Sequence, residues 1–252
     1  MEDAIRAVRD HLVRADPGGV LSVSLFGSAA VGGLRPDSDI DMLVLTRHSL
    51  SRAQRQDLVE VLLRYSGRRA TVAPGRPLEV TVLLLGDVVP WTYPPMCDLL
   101  YGEWRREEFL AGRLPERHPN PDVAVLVTTS RQHAVALVGP PPQDVLAPVP
   151  PADLRRAIQD SLPPLLDDLP GDERNVLLTL ARMVVTLESG RILPKDAAAQ
   201  LLLPDLDEPD RAALSLAARG YVGEVDDDWT DRQAQARHTA TVLAAQIRAH
   251  GS

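Results

Sequence analysis

The chain has 252 residues, a formal net charge of −8 and a single cysteine, Cys97. That length can bury one good core or two modest ones, and one cysteine excludes an internal disulfide framework of the secreted kind. The acidic balance offers no basic stripe for displacing phosphate counterions, so a nucleic-acid binder is not expected, and clefts in such a protein favour cationic small molecules. No apolar run approaches the ~20 residues of a membrane helix, and the charged start is not signal-like, so a cytoplasmic, soluble protein without a membrane partner is expected.

Ala4, Ile5, Val8, Leu12 and Val13 recur at helical spacing, which predicts an amphipathic helix over 2–14 ended by Pro17-Gly18-Gly19. Two short apolar runs, Val20 to Phe26 and Ile40 to Leu45, are predicted strands. A polar helix is expected over 51–65 and a third strand over 78–85, interrupted by Glu79 and Thr81. Val123 to Thr128 suits either helix or strand, and Ala134 to Val138 suits a strand.

Between Gly139 and Pro151 six prolines mark a stiff connection suited to neither helix nor central strand, and the domain boundary is placed there, giving 1–149 and 150–252. Beyond it the periodicity is helical over 153–161, 172–188 with Gly190 behind it, 194–203, 208–218 and 230–250. The fold class expected is α+β, a mixed sheet with helices followed by an α-helical bundle.

The chemistry concentrates in Leu25-Phe26-Gly27-Ser28-Ala29-Ala30 and Asp37-Ser38-Asp39-Ile40-Asp41. Asp39 and Asp41 stand two apart at the mouth of a strand, so their carboxylates point from one face and can share a hard divalent cation, with Glu79 as a third. Three such acids repel one another, and two Mg²⁺ ions with a triphosphate would offset that repulsion. Gly27 allows close backbone approach to a phosphate, Ser28 can donate its hydroxyl, and the start of a following helix would add N–H groups. Alone, Gly27-Ser28 is equally a strand-to-helix turn capped by Ser28, and Asp39 a loop residue. The conjunction of bend, acid pair and a glutamate breaking a third strand favours a site.

Through Gly27-Ser28 and Asp39-Ile40-Asp41 the sequence resembles the nucleotidyltransferase superfamily, which shares its minimal catalytic domain with DNA polymerase beta. Leu78-Glu79-Val80-Thr81-Val82, Gly102-Glu103-Trp104, Leu137-Val138-Gly139-Pro140, Gly171-Asp172-Glu173-Arg174-Asn175 and Pro194-Lys195-Asp196 resemble, in order, blocks of the aminoglycoside adenylyltransferases acting on streptomycin and spectinomycin. The resemblance implies that Asp39 and Asp41 hold two Mg²⁺ ions, and that Glu79 joins them and acts as base. It implies that Ser28, Ser38, Asp122, Arg182, Lys195 and Tyr221 contact ATP, and that the nucleotide bridges both domains. Trp104, Asp168 and Asp172 would line the antibiotic site.

Each borrowed residue also has an ordinary explanation: Arg182 and Lys195 as solvated cations, Tyr221 and Trp104 as packing, Asp172 as a helix N-cap. One departure bears on the substrate. Relatives accepting streptomycin carry a tryptophan nine residues before the counterpart of Asp172 and an aspartate four before it, where this chain has Pro163 and Asp168. Pro163-Pro164 is expected to break the preceding helix. Spectinomycin, adenylylated at its 9-hydroxyl, is therefore the preferred acceptor, with the streptomycin 3''-hydroxyl left open, and a monomer is expected. The rival is a nucleotidyltransferase-fold regulatory or antitoxin-type module, against which stand the three acids and the large helical half. An RNA-tailing enzyme would need more than the 4% aromatic content found here.

Overall fold

The computed structural model describes residues 2–30, 35, 38–67 and 75–250. The expected glycine-rich turn over 31–34, and Asp37 of the Asp37-Ser38-Asp39-Ile40-Asp41 motif, lie outside the described residues. The chain divides into two compact units, Met1–Val149 and Pro150–Ser252.

In the first unit, helix α1 (Glu2–Ala15) is followed by β1 (Val20–Phe26), a 3₁₀ turn at Gly27–Ala29, and β2 (Ile40–Thr46). Helix α2 (Arg52–Tyr65) begins at Ser51, whose hydroxyl accepts from the Gln54 N–H while the Gln54 side chain accepts from the Ser51 N–H. Such reciprocal capping satisfies two donors that a helix start leaves over. Then come β3 (Leu78–Leu84), α3 (Leu85–Val88), β4 (Met96–Cys97), β5 (Leu99–Tyr101), α4 (Arg106–Leu110), β6 (His118–Pro119), α5 (Asp122–His133), β7 (Val135–Val138) and α6 (Pro142–Val145).

The main sheet has the order β5-β3-β2-β1-β7, with β2 and β3 parallel and the other neighbours antiparallel. Strand alternation divides its residues between two faces. Val23, Ile40, Met42, Val44, Leu78, Val80 and Val82 form one core with Val8 and Leu12 of α1 and Leu58, Val59 and Leu62 of α2. The other face carries Ser22, Ser24 and Phe26, then Asp41, Leu43 and Leu45, then Glu79, Thr81 and Leu83. Beside the sheet, β4 and β6 pair as a short ribbon. Next to it the Arg55 guanidinium meets the wholly buried Asp98 carboxylate at 2.7 Å, and Asp98 also accepts from the Leu50 N–H at 3.0 Å.

The second unit comprises, among the described residues, α7 (Pro151–Asp167), α8 (Glu173–Ser189), α9 (Lys195–Leu202), α10 (Glu208–Tyr221) and α11 (Gln233–Ala249). Helix α8 packs against each of the other four, and Val176, Leu177, Leu178, Leu180, Ala181, Val184 and Val185 are buried on it. A helix apolar over so much of its circumference belongs at the centre of a bundle.

Two expectations need correction. Pro163 and Pro164 do not break the helix: α7 continues through them to Asp167. Both prolines are exposed, so their missing N–H groups fall on the solvent side, where water can serve the carbonyls. The proline-rich segment is not devoid of helix, because α6 lies within it with Pro142 in the first turn, where a proline gives up no intrahelical bond. The strand-or-helix ambiguity at 123–128 resolves as helix.

Candidate active site

The antiparallel pairing of β1 and β2 sets Phe26 opposite Asp41, and the parallel pairing of β2 and β3 sets Asp41 beside Glu79. Neighbouring strands lie about 4.8 Å apart, and partners in register present side chains to the same face. Asp41 and Glu79 therefore rise together from the start of their strands, on the face turned away from α1 and α2. Both are half-buried, as is Asp39 one residue before β2, and Glu79 is not turned into the core shared with those helices.

Immediately beyond β1, Gly27 has φ +63°, and a Cβ built there would overlap the Asp41 carboxylate oxygen Oδ2. An L-residue would pay about 1–2 kcal/mol for that backbone region before any clash is counted. Glycine is thus required for the bend to lie against the acid. Ser28 is half-buried within the 3₁₀ turn. Among the described residues the chain leaves β1 through that turn rather than through the start of an α-helix.

The acids suit a hard divalent cation in kind, since carboxylate oxygens are the ligands such ions take, and the Gly27 bend leaves room beside Asp41 that a side chain would fill. Among the described residues, however, no three His, Cys, Asp or Glu side chains already close round a common point. What the fold supplies is a shared sheet end and a shared face.

Ser38 is buried, and its hydroxyl accepts from the Arg35 N–H at 2.9 Å while its own N–H donates to the Arg35 carbonyl at 3.1 Å. The hydroxyl hydrogen is not used in that bond. Arg76, three residues before Glu79, sends Nη1 to the carbonyls of Arg35 at 2.7 Å and Ser38 at 3.0 Å.

On the other side of Glu79, β5 pairs antiparallel with β3, so Gly102 follows Tyr101, the partner of Val80, at the same sheet end. The indole of Trp104 lies over Gly102, where a Cβ would overlap the ring, and the residue is 52% exposed. Its 3₁₀ turn is anchored by Glu103, which pairs with Arg106 and accepts from the Ser66 hydroxyl at 2.9 Å. Ser66 Oγ in turn accepts from the Leu78 N–H at 3.0 Å. Asp122 is the exposed first residue of α5, a helix packed against β1 and the Gly27 turn. Cys97 is buried, and desolvation pushes its thiol up to about 12, with Asp98 adding to the shift, so it holds its proton at neutral pH and is no nucleophile.

Within the helical unit, Asp172 holds the N-cap position of α8 without a side-chain cap bond, and accepts instead from the Asn175 amide at 2.7 Å. Tyr221, half-buried, ends α10 at the same end of the bundle: Arg174 bonds Asp227 at 3.0 Å, and the Asp227 carboxylate lies tight against Gly220. Arg182, half-buried, lies ten residues along α8 from Asp172, roughly 15 Å at the helical rise. Lys195, also half-buried, starts α9 beyond the far end of α8, and Asp168 is the exposed C-cap of α7. The structure thus sets Asp172 and Tyr221 at the same end of the bundle, with Arg182 farther along α8 and Lys195 beyond its far end. Sequence reasoning missed Arg76, Ser66 and Arg106 altogether. Glu103 bonds Ser66 across 37 residues, and Arg76 and Arg106 reach backbone carbonyls 40 or more residues away that no sequence pattern marks.

A family model described as a nucleotidyltransferase domain matches residues 5–101, and one described as the aminoglycoside adenylyltransferase C-terminal domain matches residues 144–246. A spectinomycin 9-adenylyltransferase of Staphylococcus aureus is 46% identical over 210 residues, covering 83% of this chain and 81% of that protein. An aminoglycoside (3'')(9) adenylyltransferase of Escherichia coli is 38% identical over 233 residues, covering 90% and 88%. The crystal structure of the Enterococcus faecalis spectinomycin adenyltransferase with ATP and spectinomycin superimposes with a TM-score of 0.93 at 29% identity, over 98% of this chain and 99% of that one. Two family models that together span most of the chain, and relatives 38–46% identical over 83–90% of it, show that the chain belongs to the aminoglycoside adenylyltransferase family of nucleotidyltransferases.

Proposed function

We propose that the protein transfers the AMP group of ATP to the 9-hydroxyl of spectinomycin. The observation that carries this is the register of Asp41 beside Glu79, on one face of the sheet, against the Gly27 bend. A general base must come within hydrogen-bond reach of the proton it takes, and Glu79, half-buried at the end of its strand, is assigned that task on the drug hydroxyl. Asp39, Asp41 and Glu79 would hold Mg²⁺, two ions in our reading, which would supply Lewis-acid polarisation of the phosphate oxygens. The backbone at Gly27 and the hydroxyls of Ser28 and Ser38 are assigned to the phosphates. Asp122, Arg182, Lys195 and Tyr221 are assigned to ATP, and Trp104, Asp168 and Asp172 to the drug, on the family resemblance. A flat indole and carboxylates suit a polyhydroxylated cation.

Pro163 stands where streptomycin-accepting relatives carry tryptophan, and this favours spectinomycin. The 46% identical relative, itself a spectinomycin 9-adenylyltransferase, supports that preference. The test is pyrophosphate release by purified protein with ATP and Mg²⁺. Release with spectinomycin, and at most a small fraction of that rate with streptomycin, is expected. A streptomycin rate equal to or above the spectinomycin rate would overturn the specificity, and no release with either drug would overturn the activity.

A further inference from the structure

The parallel ladder between β2 and β3 begins with the Ile40 N–H donating to the Pro77 carbonyl at 2.8 Å, with Ile40 in register with Leu78. In a parallel pair the preceding rung would run from the N–H of residue 77 to the carbonyl of residue 38. Residue 77 is a proline and has no N–H to give. Arg76 Nη1 fills that place, donating to the Ser38 carbonyl at 3.0 Å and to the Arg35 carbonyl at 2.7 Å. Arg35 and Ser38 are themselves joined by two hydrogen bonds, and Asp39 follows Ser38 directly. The start of β3 is held on its other side, because the Leu78 N–H donates to Ser66 Oγ and Ser66 bonds Glu103 beside Trp104.

We infer that Arg76 is a positioning residue, replacing the rung that Pro77 removes, so that Ser38, and with it Asp39, is fixed against the strand carrying Glu79. The inference rests on the proposed activity for its catalytic consequence, but not for its structural one. A hydrogen bond from a charged donor is roughly twice as strong as a neutral one, so a single guanidinium can do the work of a missing ladder bond. Misplacing a reacting group by about 1 Å can cost on the order of 100-fold in rate.

The test compares the full-length wild type with R76M and R76K, by amide hydrogen exchange without ligands and by steady-state kinetics with ATP, Mg²⁺ and spectinomycin. In R76M, exchange across residues 38–41 should quicken by on the order of tenfold, the loss expected for a bond to a charged group, while exchange in α8 stays as in the wild type. Turnover should fall by about 10- to 100-fold with the drug KM within about twofold. R76K, whose ammonium can still donate to one carbonyl, should lie between, and the R76M/P77A double variant, which restores a backbone N–H at position 77, should regain part of the lost protection. Wild-type exchange at 38–41 in R76M, or a raised drug KM with unchanged turnover, would overturn the inference. If R76M does not fold, R76K decides: faster exchange confined to 38–41 supports it, and unchanged exchange overturns it. Because the exchange readout needs neither ATP nor drug, a wild type that modifies no antibiotic would sink the proposed activity without touching this result.

Discussion

Gly27 shows how one residue type can be dictated by a neighbour's chemistry. Its positive φ and the Asp41 oxygen lying where a Cβ would go make two independent demands for glycine. Gly27→Ala is therefore expected to lose at least ~1 kcal/mol of stability in urea unfolding from the backbone alone. It should also lower turnover by more than tenfold, because the alanine methyl must push the Asp41 carboxylate aside. A variant with wild-type stability and turnover would show that the bend and the acid are not in contact. The acids could be picked out only from the conjunction of the Asp39–Asp41 spacing, the Gly27-Ser28 bend and a glutamate interrupting a third strand. Arg76 could not, because its role depends on which strand pairs with the segment where Pro77, its own neighbour, leaves a rung unmade.

At the scale of elements, β5 is the instructive case. Three residues long, it is too short to register as a periodic run, yet it forms the edge of the sheet and delivers Trp104 to the end where Asp41 and Glu79 stand. The turn after it is fixed by Glu103, whose side chain is only 6% exposed, against Arg106 at 13%, with Ser66 as a further partner. Breaking a buried pair strands the remaining charge at a cost of about 3–5 kcal/mol, and the guanidinium here keeps the Leu63 and Ser66 carbonyls as partial compensation. Glu103→Gln should consequently lower the midpoint of thermal unfolding. In steady-state assays it should raise the drug KM several-fold while the ATP KM stays within about twofold. A raised ATP KM with an unchanged drug KM would contradict the role given to this turn. The long amphipathic helices and the central strands were legible because their apolar periods run for many residues. The two-residue strands β4 and β6, the four-residue helix α6 and the passage of α7 through two prolines were not, since each depends on tertiary packing or on which side faces water.

Across the whole molecule, the division of labour is set by where charge can be tolerated. The first unit places Asp41 and Glu79, half-buried, at the starts of their strands and leaves the strand middles uncharged; Leu43, Leu45, Thr81 and Leu83 are all at most 2% exposed. The second unit is a bundle round α8, along which the proposed residues run from Asp172 at its N-cap to Arg182 in its middle. Among the described residues no helix is long and apolar enough to cross a membrane. The measurement that bears most directly on the proposed activity is the mass of spectinomycin after incubation with ATP, Mg²⁺ and either the wild type or Glu79→Gln. The wild type should convert the drug to its AMP ester. Glu79→Gln should do so slower by roughly 10² to 10⁴, the usual contribution of a general base, while still showing ATP-dependent thermal stabilisation. Equal conversion by both proteins, or an unmodified drug with the wild type, would contradict it.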